Sequence, residues 1–223
     1  MIRFFDILFS TVAIVILFPL FLIVMVLLKL TGEHEIFYLQ KRMGRLEKSF
    51  NIIKFATMLK DSVNMSGGAV TKKHDSRVLP IGKFLRKTKI NELPQLFNIW
   101  IGNMSIVGPR PLTIEQYHNY SEAQRKYISE LKPGLTGIGS LIFRDEEEIM
   151  ERSGMDYNKI HDTIIADYKG DLECWFHHNN SLRKYFLLIL FTALSVVKPN
   201  LNFQHRFKNL PEPKGILKDL ING

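Results

Sequence analysis

Twenty-two consecutive residues without a charge, Ile7 to Leu28 (ILFSTVAIVILFPLFLIVMVLL), constrain this chain more than any other feature. As a helix that run is long enough to cross the hydrocarbon core of a bilayer. A cleaved signal peptide is a poor reading, because the run is too long and the following KLTGEHE has no small-residue cleavage site. Pro19 lies just past the middle, where it removes a backbone donor and clashes with the preceding turn, so a kink is expected. Arg3 precedes the run and Lys29 follows it. Positive charge prefers the cytoplasmic face, and a hairpin would keep both ends there. From these residues a bent span and a re-entrant helix both stand, and either places the basic body on the cytoplasmic side.

The body is large enough to fold. At 223 residues the chain predicts one domain with an appendage. A hydrophobic fraction of 46% with sixteen Phe supplies a core and excludes disorder of the whole. The single cysteine, Cys174, rules out an intrachain disulfide and fits a reducing compartment. The formal charge is +8, nearly all of it beyond the apolar run, which favours anionic partners such as phosphates, nucleic acid or an acidic leaflet. The sequence contains no GxxxxGK[ST] loop, GxGxxG fingerprint or CxxC pair. Basic residues lie near aromatics in SFNIIKF and GKFLRK without a nucleic-acid module, so a membrane-anchored nucleic-acid binder rests on net charge alone.

Local patterns predict an α+β chain that is mostly helical. HEIFYLQKRMGR reads as a short strand followed by a basic turn, and SFNIIKFATMLK as a second apolar segment. Residues 61–77 lack periodicity and read as a mobile loop, and VLPIGKFLRKTKI as a short basic helix or turn. Leu93, Leu96, Phe97, Trp100 and Ile101 follow the helical i, i+3, i+4, i+7, i+8 rule. Asn91 is the expected N-cap of that helix, Pro94 falls in its first turn, and Gly102-Asn103 ends it. Ser121 and Gln124 form a capping box, KPGLTGIGS reads as a glycine-rich loop, and RDEEEIMERSG as an acidic helix. Tyr185 to Val197 is apolar but too short to cross a membrane, so a packing or interfacial helix is expected near 181–198.

Several groups are candidates for chemistry. Arg110 lies between two prolines in GPRP, which suits a fixed guanidinium for bidentate phosphate binding; a rigid surface turn is the plainer alternative. Glu92 at a helix start is either a cap or exposed carboxylate, or a Mg²⁺ ligand or catalytic group. The acids Asp145, Glu146, Glu147, Glu148 and Glu151 read as a solvated helix face rather than a metal site. His177-His178 lacks metal-site spacing and reads as packing or surface.

Taken together, RFFDILFS, the proline-broken apolar helix, QKRMG, IIKFATM, IGKFLRKTKINELPQLFNIWIGNMSIVGPRPL and KPGLTG resemble the bacterial sugar transferase family, the small monotopic phosphoglycosyl transferases. The match weakens after Gly139. The resemblance implies a re-entrant membrane helix over 1–30, a small β-hairpin, and a compact helical catalytic core over 31–223 with interfacial amphipathic helices. It implies transfer of a sugar-1-phosphate from a UDP-sugar to a polyprenol phosphate such as undecaprenyl phosphate. UMP leaves, and the product starts a lipid-linked glycan at the cytoplasmic face of the bacterial inner membrane. Downstream glycosyltransferases are implied as possible partners, and nucleic acid is not. In the family an Asp-Glu pair is catalytic: the Asp attacks the β-phosphate, a covalent phosphosugar forms, and Mg²⁺ neutralises charge. The matching positions are Asn91 and Glu92, with Glu92 the expected metal ligand, and Arg110 matches the GPRP arginine. Arg42, Lys54, Arg86 and Arg144 are further expected phosphate or nucleotide ligands.

The chain departs from the pattern at three positions: Asn91 replaces the family Asp, GNMS with Asn103 replaces GDMS, and Ala56 replaces the basic residue of KFRTM. A neutral amide is a poor nucleophile, so the first change raises the barrier by about several kcal/mol. Three explanations follow. Glu92 has taken over as nucleophile or activates direct attack by the lipid phosphate; the chain is an engineered inactive variant; or it is a natural relative that binds lipid phosphate, nucleotide sugar or a partner transferase without turnover.

Overall fold

A computed structural model describes residues 1–62, 75–198 and 203–222. Most of the loop expected over 61–77 lies outside them. The chain divides into two compact units. An N-terminal unit comprises Arg3–Lys41 and Asn51–Gly102; a C-terminal unit comprises Met1–Ile2, Arg42–Phe50 and Asn103–Gly223.

The N-terminal unit is built on α1 (Ile2–Leu30), a 29-residue helix with Pro19 inside it. Its buried residues are Asp6, Ser10, Phe21, Val24 and Leu28, which share one narrow stripe at helical spacing. The remaining surface is apolar and exposed, as at Val15, Ile16, Phe18 and Ile23. By length and composition this helix is long and apolar enough to cross a membrane. The strands β1 (Phe37–Arg42) and β2 (Phe50–Phe55) pair in a two-stranded sheet. Beyond the undescribed stretch, α2 (Pro80–Lys87) begins on a proline at its first helical position, where a missing N–H removes nothing from the helix. A 3-10 turn over Ile90–Glu92 then leads into α3 (Gln95–Ile101).

Two side chains fasten this unit. Asn98 on α3 is wholly buried, and its amide behaves as an extra strand: Oδ1 accepts from the Ile53 amide at 2.9 Å and Nδ2 donates to the Asn51 carbonyl at 2.8 Å. The Phe21 ring packs against Phe55 of β2 and Phe97 of α3, with centroids 5.6 and 5.7 Å away.

The C-terminal unit holds β3 (Ser105–Val107), α4 (Ile114–His118), α5 (Glu122–Ile128), β4 (Gly134–Thr136), α6 (Ile138–Ile142) and α7 (Glu146–Arg152). A single turn, α8 (Tyr157–Lys159), runs through a π-helical stretch at Ile160–Ile165 into α9 (Ala166–Asn179). α10 (Leu182–Val197) and α11 (Ile216–Asn222) follow. β3 and β4 pair in parallel, with Ser105 opposite Gly134 and Val107 opposite Thr136. The KPGLTGIGS segment is therefore a strand and the first turn of a helix, not only a loop, because its backbone groups pair with those of β3 and the turn after it, far away in sequence. The capping box at Ser121 and Gln124 is present as expected, and Thr113 with Gln116 forms a second.

The acidic α7 departs from the sequence reading at one residue. Glu147, Glu148 and Glu151 are exposed, whereas Glu146 turns inward to Lys169. α10 buries Tyr185, Leu188 and Phe191 and exposes Leu190, Leu194 and Val197. Phe191, Phe203, Phe207 and Trp175 stack with one another and close the C-terminal end.

Candidate functional site

The expected site residues fall in two groups, one in each unit. In the N-terminal unit, Asn91 does not cap α3. Lys89 takes a left-handed conformation (φ 60°) and opens the 3-10 turn, so Asn91 sits inside that turn and Pro94 takes the position before α3. The Asn91 side chain is buried, and its Oδ1 finds no hydrogen-bond donor among the described residues. A buried polar atom left unpaired is costly, and such orphans call for a functional or structural explanation. Beside it in sequence, the Glu92 carboxylate lies 3.8 Å from Lys54 Nζ, with both side chains mostly withdrawn from water. β2 carries Lys54, and Asn98 bonds the neighbouring Ile53, so one buried amide sets the register of this ion pair. Arg86 is on α2, half-buried, and its charge helps hold the Asp75 carboxyl down at about 2, after the dominant hydrogen bond from Arg77.

At the far end of α3 the Arg3 guanidinium donates to the carbonyls of Ile99 and Trp100, at 2.5 and 2.7 Å. A cation is favourable there because the last carbonyls of a helix are unpaired and carry its negative dipole end. Gly102 leaves the helix at φ +102°, and a Cβ on it would press on Arg3 Nη2. The helix that follows Asn91-Glu92 is thus tied to the first turn of α1.

In the C-terminal unit, Arg110 is exposed at the turn after β3. That turn is fixed by backbone contact: Gly108 N–H donates to the Thr136 carbonyl at 2.8 Å and Gly134 N–H to the Pro109 carbonyl at 2.7 Å. Cβ atoms at Gly108, Gly134 or Gly137 would overlap the facing backbone, so GPRP and KPGLTG form one packed turn that requires glycine on both sides. Arg42 Nη1 donates to the Pro111 carbonyl at 3.2 Å, which assigns part of that guanidinium to holding the same turn. Met43, Gly44, Pro109, Arg110, Tyr117 and Tyr120 are among the residues lining a small cavity beside it.

Behind Arg110 lies a charged cluster that sequence reasoning missed. Glu146 Oε1 is 2.6 Å from Lys169 Nζ and 3.8 Å from His161 Nε2, and His161 Nδ1 is 2.7 Å from Asp162. Burial opposes the charge on Glu146, but Lys169, His161 and Arg110 outweigh it and hold the carboxyl below its ordinary value. Burial also pushes Lys169 down, against the pull of Glu146. Glu173 is buried, and burial pushes its carboxyl up to about 8, although the Gly139 amide donates to it; its Oε2 has no partner among the described residues. One signal was available. Lys169, Leu172, Glu173 and Phe176 follow i, i+3, i+4, i+7, which puts a lysine and a glutamate on the apolar face of α9. Arg144 is exposed just before α7.

Among the described residues no group of three His, Cys, Asp or Glu is placed to hold a metal. Mg²⁺ needs less than that, since it takes one or two protein oxygens and completes its shell with water and substrate phosphates. The Glu92 carboxylate and the orphaned Asn91 Oδ1 are oxygen donors of that kind.

The family model described as bacterial sugar transferase matches residues 1–199. The chain is 36% identical over 180 residues to the exopolysaccharide production protein ExoY of Sinorhizobium fredii, covering 74% of this chain and 79% of that one. It is 33% identical over 152 residues to the UDP-glucose:undecaprenyl-phosphate glucose-1-phosphate transferase of Klebsiella pneumoniae, covering 66% of this chain and 32% of that one. To the UDP-N-acetylgalactosamine-undecaprenyl-phosphate N-acetylgalactosaminephosphotransferase of Aeromonas hydrophila it is 36% identical over 142 residues, covering 61% and 33%. With the packed GPRP–KPGLTG turn and the Lys54–Glu92 pair in the matched region, the chain belongs to the bacterial sugar transferase family.

Proposed function

We propose that this chain transfers a sugar-1-phosphate from a UDP-sugar to undecaprenyl phosphate at the cytoplasmic face of the bacterial inner membrane. In the net reaction the bond between the bridging oxygen and the sugar-bearing β-phosphorus breaks, and UMP leaves with the bridging oxygen. A new bond forms from that phosphorus to an oxygen of the lipid phosphate. The observation that carries this reading is the withdrawn Lys54–Glu92 pair, which lies within the region that the family model matches. Lys54 orients the Glu92 carboxylate, which could then activate or replace the attacking group that Asn91 cannot supply. Arg86 is proposed as a phosphate ligand of the N-terminal unit, and Arg110, on its rigid turn, and exposed Arg144 as phosphate ligands of the C-terminal unit. Mg²⁺, bound through Glu92 with Asn91 Oδ1 as a neutral donor, would supply charge neutralisation on the diphosphate.

The membrane part of the proposal is a helix that enters and leaves by the same face. Arg3 and Phe21 are eighteen residues apart, about 27 Å along a straight α-helix. Both nevertheless reach α3, whose seven residues extend about 10 Å. No residue from 11 to 20 is buried. Contact at both ends with an exposed middle around Pro19 supports a bend there.

A second reading, a member that binds without turnover, is favoured by the amide at Asn91. One experiment separates them: UMP release by the full chain with Mg²⁺, undecaprenyl phosphate and a panel of UDP-sugars. Release that Glu92→Gln abolishes is the expected result, with Asn91→Asp faster by about a hundredfold or more. Release only after Asn91→Asp would establish the binding-only reading, and none from either chain would overturn sugar-phosphate transfer.

A further inference from the structure

Arg144 is flanked by two residues that the same lysine grips. Lys169 Nζ stands 5.0 Å from the centre of the Phe143 ring, and the edge of that ring also meets Tyr168, its neighbour on α9, at 5.9 Å. On the other side, two residues on, Glu146 Oε1 lies 2.6 Å from the same Nζ. Phe143 is buried, Lys169 is mostly withdrawn from water, and Arg144 between the two held positions is exposed. No hydrogen bond or ion pair to a described residue occupies the Arg144 guanidinium. A cation that is itself unengaged, on a backbone pinned at both ends, loses little entropy when an anion binds. A solvated lysine would not serve, because an exposed ion pair contributes little and flexes; this one is largely shielded and shares its charge between a carboxylate and a ring face.

We propose that Lys169, together with Glu146, is a positioning residue that presents Arg144 to the phosphoryl oxygens of a diphosphate or phosphate ligand. The inference rests on the reading of Arg144 as a phosphate ligand. It goes further by naming what fixes that arginine. The field of Arg110 acts on both members of the pair, so the Glu146 carboxylate also tempers the accumulation of positive charge in this part of the C-terminal unit. Lys169 touches no reacting atom in this scheme; it acts through the segment it holds.

The test is a double-mutant cycle on the full chain in nanodiscs, with inorganic pyrophosphate as the probe in titration calorimetry. Lys169→Met keeps the stem and removes the charge. It should weaken pyrophosphate binding about tenfold, as should Arg144→Ala, and the double variant should be no weaker than Arg144→Ala alone. Lys169→Arg should restore most of the loss. Equal weakening by Lys169→Met in the presence and absence of Arg144 would overturn the proposal, since a general loss of fold or of charge acts on both backgrounds alike. A second readout does not require binding. Amide hydrogen exchange over 143–146 should accelerate in Lys169→Met and recover in Lys169→Arg, while exchange in β3 and β4 stays as it was. Unchanged exchange over 143–146 would also overturn the proposal. Failure of the unmodified chain to bind pyrophosphate, with exchange behaving as stated, would instead remove the phosphate-ligand reading of Arg144 and leave the Lys169 grip standing as structure.

Discussion

At Glu173 a buried carboxyl group accepts from the Gly139 amide with one oxygen, and the other has no hydrogen-bond partner among the described residues. Its value of about 8 against an ordinary 4.5 means that the folded protein holds a proton which the unfolded chain releases. Stability from this group is therefore full below pH 4.5 and is lost as pH rises toward 8, with a slope of at most about 1.4 kcal/mol per pH unit. Glu173→Gln keeps an oxygen for the Gly139 amide and cannot ionise. Its midpoint in thermal unfolding should exceed that of the parent chain by a margin that widens from pH 5 to pH 8; a constant margin would contradict the assignment. Lys169 and Glu173 went unread, although their spacing places them as charges on the apolar face of α9. Their partners could not be read, because Glu146 is 23 residues from Lys169 and no local pattern links them. Asn91 shows the converse. Its composition invited a cap, but the left-handed Lys89 before it moved the turn and turned the amide inward.

α3 illustrates how an element is held by parts of the chain far from it. Its existence and its end were readable from the apolar spacing and Gly102, since these depend on bonds within a few residues, whereas its start was not, because a 3-10 turn takes up Asn91 and leaves Pro94 before the helix. Its fastening was not, because Arg3 and Asn98 act across 96 and 45 residues. Gly102→Ala forces a Cβ into a left-handed backbone and against Arg3, and should destabilise the chain by about 1–3 kcal/mol in urea unfolding. Arg3→Ala should cost about 1 kcal/mol, because its bond to Trp100 faces solvent. Combined with Gly102→Ala it should add less than the sum, as the two act on one contact. The same argument explains β4. KPGLTGIGS is rich in glycine, which locally signals a loop, yet those glycines are there so that two backbones can touch.

For the molecule as a whole, the long apolar helix and the basic remainder set the terms: one part is suited to lipid and the other to phosphates. A tag placed before Met1 tests the path of α1. With a re-entrant helix, a protease added to right-side-out bacterial membrane vesicles leaves the tag intact; in inside-out vesicles it removes it. Removal from right-side-out vesicles would instead establish a span. The residues alone determined the long apolar helix and the resemblance to the family, because each depends on composition or on spacing within short stretches of chain; the phosphate-ligand expectations at Arg42, Lys54, Arg86 and Arg144 came from that resemblance. Only the tertiary structure decided that Glu92 pairs with Lys54, that two glycine motifs form one turn, and that Lys169 grips both sides of Arg144. Those facts are set by close packing between segments tens of residues apart, where burial raises the value of each polar contact and no sequence window contains both partners.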